Sequence, residues 1–221
     1  MLKPRLDTLP AAQQALWPEL SATPKAFTLY GGTAIALRIG HRVSVDFDFF
    51  SQEPFSPITL HRSVPYLAGG VLQQSAPNTL TVRVERGGPV QVSFFGALGL
   101  GQVEPHEVVE GPQFQVASLV DLSGMKAATV TQRVEAKDYI DIHALLTQAK
   151  IPLEVMLSAA HIIYGDEAST LLMLKAISYH EEPALASLAK GMRQDLVNAV
   201  RAVDVTRLPA LDAVRARKPR S

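Results

Sequence analysis

Asp46 and Asp48 stand one residue apart in the otherwise apolar stretch VSVDFDFF. On a strand, side chains two positions apart share a face. Two such carboxylates are close enough to share a divalent cation. Mg2+ prefers hard oxygen ligands and keeps several waters, so a carboxylate pair completed by substrate phosphates makes a normal site for it, or for Mn2+. The cation would also neutralise the mutual repulsion of two residues that form strands poorly. The alternative is a solvated strand face. Upstream, LYGGTAIALRIG sets Gly31-Gly32-Thr33 between a short strand and a helix. Backbone N–H groups and a hydroxyl at a helix N-terminus receive phosphate, and glycine permits close approach of the backbone. A glycine pair alone reads as an ordinary turn. A phosphate turn followed, one short helix later, by a carboxylate pair is far more specific.

A second group lies in DLSGMKAATVTQRVEAKDYIDIHALL. Lys126 and Arg133 are seven residues apart, on about the same helical face, and two cations turned toward a metal–phosphate site would hold a triphosphate. Asp138 and Asp141, three apart, share one helix surface. Tyr139, Ile142 and Leu146 line the opposite, apolar stripe. The competing reading is a set of solvated faces with local ion pairs, which contribute about 0–1 kcal/mol each.

The elements that must position these residues can be read from pattern. FTLY, Phe27–Tyr30, is a strand, and the helix after it ends at Gly40. VSVDFDFF, Val43–Phe50, alternates, with Val43, Val45, Phe47 and Phe49 on one face and Ser44, Asp46 and Asp48 on the other. Ser56-Pro57 opens a helix with proline at its first position. TLTVRVER and PVQVSFF form a hairpin. Its valines share a face only if Val84 stands opposite Val90, which requires a three-residue loop, Arg86-Gly87-Gly88, with a left-handed glycine. From Ser118, an N-cap with Asp121 in the first turn, the chain is helical to about Leu208, in blocks punctuated by Pro152, Gly165, Pro183 and Gly191. This predicts an α/β core over residues 1–116 and a helical region over 117–221 that completes the active-site cleft.

Gly-Gly-Thr, a spacer and Asp-x-Asp together resemble the nucleotidyltransferase-fold signature of polymerase-beta-like enzymes. GHRVSVDFDFF, VSFFG and the long helical motif narrow the resemblance to the AbiEii/AbiGii toxin family, known from type IV toxin–antitoxin and phage-abortive systems, over Phe27 to Leu146. The resemblance implies an α+β fold: a nucleotidyltransferase-type mixed sheet with flanking helices, then a helical C-terminal bundle. It implies a nucleoside triphosphate substrate, Mg2+ or Mn2+, transfer of a nucleoside monophosphate to an RNA or protein acceptor, and an antitoxin encoded nearby. Some members modify tRNA acceptor ends. Carried onto the matching positions, it makes Asp46 and Asp48 the metal ligands and catalytic residues. Gly31, Gly32, Thr33, Lys126 and Arg133 become nucleotide contacts, and Asp138 or Asp141 a catalytic carboxylate, the base for the attacking hydroxyl. One departure stands out. Many such folds place a third carboxylate on a neighbouring strand, where VQVSFF offers only Gln91 and Ser93. Either a helical aspartate fills that role, or the chain is a weak or inactive nucleotide- or RNA-binding relative. A third reading is an interaction module whose helical half binds a protein.

Composition bounds these readings. Of 221 residues, 47% are hydrophobic, and 21 basic side chains balance 21 acidic ones. No global field draws the chain to nucleic acid, so such a partner needs a local patch. The absence of cysteine excludes disulfides, thiolate catalysis and cysteine-ligated zinc and fits a reducing cytoplasm. No signal peptide or membrane span is expected. The six histidines form no HxxxH or HxH pair, so no zinc site is assigned. His41-Arg42 reads equally as a phosphate contact or a solvated turn, Trp17 as a core residue, and the basic stretch Arg215–Arg220 as a frayed end.

Overall fold

The structure, a computed structural model, describes residues 1–217. Two compact units divide the chain. Met1–Gly99 with His106–Ala117 form the first; Leu100–Pro105 and the residues from Ser118 onward form the second.

The first unit carries α1 (Ala11–Leu16), β1 (Thr28–Tyr30), α2 (Gly31–Ile39), β2 (Asp46–Phe50), α3 (Pro57–Ser63), β3 (Val71–Ala76), β4 (Thr79–Glu85), β5 (Pro89–Phe95), β6 (Glu107–Val108) and β7 (Gln115–Val116). Its strands make one mixed sheet in the order β3-β4-β5-β2-β1-β7-β6. β2 runs parallel to β5 and antiparallel to β1, and β1 runs parallel to β7. Cross-strand neighbours share a face, so the register sorts the side chains. Leu29, Phe49, Phe94 and Leu80 form one buried row, and Phe47, Val92 and Val82 the next. Trp17 packs on this core, edge-on to Phe114 at 5.4 Å. The hairpin has the expected form: Val84 pairs with Val90, and Gly87 takes φ +75°. Ser56 caps α3 ahead of Pro57, and α2 ends at Gly40.

The alternation read across 43–50 does not extend that far. β2 begins at Asp46, and Val43 and Val45 are 60% and 49% exposed. Ser44 is what turns inward: its N–H donates to the Thr8 carbonyl at 3.1 Å, and its hydroxyl meets that of Thr33 at 2.8 Å. A buried polar anchor therefore overrides the valine pattern.

The second unit contains α4 (Leu119–Thr129), α5 (Ala136–Thr147), α6 (Leu153–Tyr164), α7 (Thr170–Ser178) and α8 (Lys190–Ala202). Ser118 caps α4, accepting from the Asp121 N–H at 3.0 Å, while the Asp121 carboxylate accepts from the Val103 N–H at 2.7 Å. α4 and α6 cross closely because Gly124 lacks a Cβ, which would lie 2.7 Å from the Ala160 nitrogen. Two expectations change here. Gly191 does not interrupt a helix but lies in the first turn of α8. Arg215 is not frayed: its backbone pairs with Gln102 through bonds of 2.8 and 3.1 Å. Lys218–Arg220 lie outside the described residues. Among the described residues no helix is long and apolar enough to cross a membrane.

Candidate functional site

Two groups of polar residues stand out, one in each unit. In the first, β2 alternates Phe47 and Phe49 into the core with Asp46 and Asp48 on the other face, both partly exposed. The register fixes what surrounds them on that face. Asp48 lies between Tyr30 of β1 and Ser93 of β5, and Thr81 of β4 follows; Asp46 lies beside Gln91, and exposed Arg83 follows. The strand that could have supplied a third carboxylate thus presents Gln91 and Ser93, directly in register with the two aspartates. Ser93 is buried, its hydroxyl accepting from Thr81 at 3.3 Å.

The chain reaches α2 through Gly31, which adopts φ +75°. A Cβ there would lie 2.8 Å from Oδ2 of Asp48, so the carboxylate leans directly over the glycine. Only glycine meets both the positive φ and the close approach. This brings Asp48 to the N-terminal end of a nine-residue helix, whose partial positive charge attracts anions. Tyr30, just before the turn, is held from both sides: its ring stacks on Phe50 at 4.9 Å, and its hydroxyl hydrogen-bonds Nε2 of His106 at 3.0 Å.

Gly31, Gly32, Asp46 and Asp48 are therefore brought together. Thr33 is placed differently from the expectation that its hydroxyl meets phosphate. The residue is buried, and the hydroxyl donates to the Asp46 carbonyl, tying α2 to the start of β2. Its place is structural: it sets where Asp46 begins.

In the second unit, Lys126 of α4 and Asp138 and Asp141 of α5 meet inside the helical packing. Nζ of Lys126 lies 2.5 Å from Oδ1 of Asp138 and 2.7 Å from Oδ2 of Asp141; the lysine side chain is 8% exposed and both carboxylates 0%. Arg133, about half exposed, donates from Nε to Oδ2 of Asp138 at 2.9 Å. Burial alone would raise the Asp138 carboxyl, but the Arg133 hydrogen bonds and the Lys126 charge outweigh it and hold the group below the usual carboxylate range. The face of α5 read as cleft-lining or solvated is thus buried, like the Tyr139 and Ile142 stripe. Both aspartates hold the Lys126 ammonium in place.

Tyr30, His106 and Arg83 were not singled out from sequence. Tyr30 adjoins the glycine pair, which was a usable signal; His106 and Arg83 are joined to the site only by sheet register and packing.

Comparison with known proteins identifies the family and the fold. Residues 15–217 match the family described as "Nucleotidyl transferase AbiEii toxin, Type IV TA system". The uncharacterized protein aq_aa25 of Aquifex aeolicus is 30% identical over 128 residues, 54% of this chain and 57% of its own length, so the chain spans little more than half of that relative. Among solved structures, the nucleotidyltransferase toxin MenT4 of Mycobacterium tuberculosis H37Rv superposes with a TM-score of 0.59 at 16% identity, covering 88% of this chain and 83% of its own. A candidate nucleotidyltransferase from H. pylori gives 0.52 at 15% identity, covering 86% and 92%. At such identities these two establish the fold.

Proposed function

Because this chain belongs to the AbiEii nucleotidyl transferase toxin family, we propose that it transfers a nucleoside monophosphate from a nucleoside triphosphate to an RNA acceptor, with tRNA the first to test and a protein acceptor the next. The observation that carries this reading is the placement of Asp46 and Asp48 on one partly exposed face of β2, with Asp48 over the Gly31 turn.

The donor set fits Mg2+ or Mn2+. Asp46 and Asp48 offer hard oxygens. Among the described residues no group of three or more His, Asp or Glu side chains could hold a metal by itself, so the remaining positions fall to phosphate and water, the usual arrangement for Mg2+. When bound, such a cation neutralises the triphosphate and stabilises charge developing on the leaving group. The chain supplies positioning. Gly31 and Gly32 let the backbone approach the phosphates, and the N–H groups opening α2 face the anion. The buried Thr33 hydroxyl and the Tyr30–His106 pair hold the turn and β2 in register, so that little reorganisation is needed at the moment of transfer. Lys126, expected at the triphosphate, is buried against Asp138 and Asp141, and Arg133 is bound to Asp138. A toxin of the type IV class implies an antitoxin encoded nearby.

The test is incubation with each labelled nucleoside triphosphate, total tRNA and Mg2+. Label should appear in RNA with the wild-type chain and vanish with Asp46→Asn or Asp48→Asn, which should stay folded. Equal labelling by both variants refutes the assignment. A second reading, nucleotide or RNA binding without turnover, is favoured by one observation: Gln91 and Ser93 occupy the register positions beside Asp46 and Asp48. Metal-dependent binding with no label in any acceptor would select it.

A further inference from the structure

The helical unit contains a pocket of about 220 Å³ between the loop after α4, α5 and α7. Val134, Leu172 and Ala176 supply apolar walls. Two aromatic rings face it: Tyr139, buried and fixed by its hydroxyl donating to the Ala176 carbonyl at 3.1 Å, and Tyr179, 47% exposed at the mouth. The polar lining includes one cation and one anion, Lys175 and Glu182. Val134 and Leu172 are also exposed, large apolar side chains left in contact with water.

Size and chemistry narrow the occupant. An apolar cavity of about 150 Å³ holds one benzene ring, so this volume suits one mono- or bicyclic ring system and is too small for a whole nucleotide. A phosphate would be repelled by Glu182. A purely aliphatic ligand would leave Lys175 and Glu182 without use. A neutral planar heterocycle with donors and acceptors on its edge suits this lining, which offers an aromatic face in Tyr179, an acceptor in Glu182 and a donor in Lys175. Aromatic stacking with edge hydrogen bonds is how proteins hold an unstacked base. We propose that this pocket binds an unpaired nucleobase, carried by a free nucleotide or by an RNA end. The assignment rests on the nucleotidyl-transfer reading above for its choice of ligand.

The experiment uses the full chain with metal removed, so that the β2 carboxylates contribute little. The probes are the four nucleoside monophosphates, the four triphosphates, a short single-stranded RNA and, as a control without a base, ribose 5-phosphate. Tyr179→Ala removes the stacking face, and Ala176→Met fills the volume. Both should weaken base-bearing probes by about 5- to 100-fold, the usual range for losing one stacked base contact, and leave ribose 5-phosphate unchanged. Losses shared by the monophosphates and triphosphates but absent from RNA place the base of the free nucleotide in the pocket. Losses confined to RNA place a base of the acceptor there; both results support the proposal. Base-bearing probes binding both variants within twofold of wild type overturn it, as does a change in sedimentation showing that this face joins two copies of the chain. If the wild-type chain transfers no label to any acceptor, the functional reading fails separately, because the titration needs no turnover.

Discussion

Replacing Lys126 by Met tests whether the buried charge cluster holds the helical unit together. Methionine keeps the length and the apolar stem but removes the ammonium that lies 2.5 Å from Asp138 and 2.7 Å from Asp141. Both carboxylates are fully buried, so water cannot take the place of the ammonium, although Asp138 keeps its bonds to Arg133. Removing one member of a buried ion pair costs about 3–5 kcal/mol, mostly because the remaining charge stays desolvated. For a chain of 221 residues, at about 2–4 °C per kcal/mol, Tm should fall by about 6–20 °C. The assay is thermal unfolding followed by circular dichroism, whose helical signal comes mostly from the second unit. A cycle with Asp141→Leu sharpens it: the double variant should be less destabilised than the sum of the singles, because it removes charge of both signs together. A Lys126→Met protein melting within about 2 °C of wild type, against the several degrees expected, would refute the reasoning. So would single effects that simply add. This measurement must precede any kinetic reading of Lys126, Asp138 or Asp141, since lost transfer in an unfolding variant says nothing of chemistry.

Three further outcomes follow from the same geometry. Gly31→Ala should destabilise by about 1–2 kcal/mol through its positive φ and weaken metal-dependent nucleotide binding further, because the new Cβ displaces Asp48; titration and melting separate the two effects, and unchanged binding would detach Gly31 from the site. Gly124→Val should cost at least the upper part of about 1–3 kcal/mol for overpacking, since its Cβ meets α6 backbone at 2.7 Å; a melt equal to wild type would show that α4 and α6 can separate freely. Asp138 has a folded carboxyl lowered from 3.8, so its stabilising contribution is full above that value and is lost as pH falls below it. Asp138→Asn should accordingly flatten the acid limb of a stability–pH profile, and an unchanged limb would mean that the ion pair does not sense folding.

What could be read from residues alone was whatever depends on local period and spacing. The valines of TLTVRVER and PVQVSFF admit one register, because a shift by one residue turns every side chain to the opposite face, and the structure has that register. Ser118 announced α4 because an unpaired helix N–H needs an acceptor at a fixed offset. The missing third acid was visible in VQVSFF, and the register added that Gln91 and Ser93 stand directly beside the aspartates. Packing decided the rest. β3 went unread because all six of its residues are exposed, leaving no inward set for a pattern to mark. Val43 and Val45 look like strand residues, but the buried hydrogen bonds of Ser44 to Thr8 and Thr33 outrank their preference. The spacing of Asp138 and Asp141 showed that they share one surface of α5, yet not that this surface faces inward. Two aspartates normally belong in water. They can be buried here because Lys126 arrives from α4, and a compensating charge brought from another helix is settled only when the helices pack.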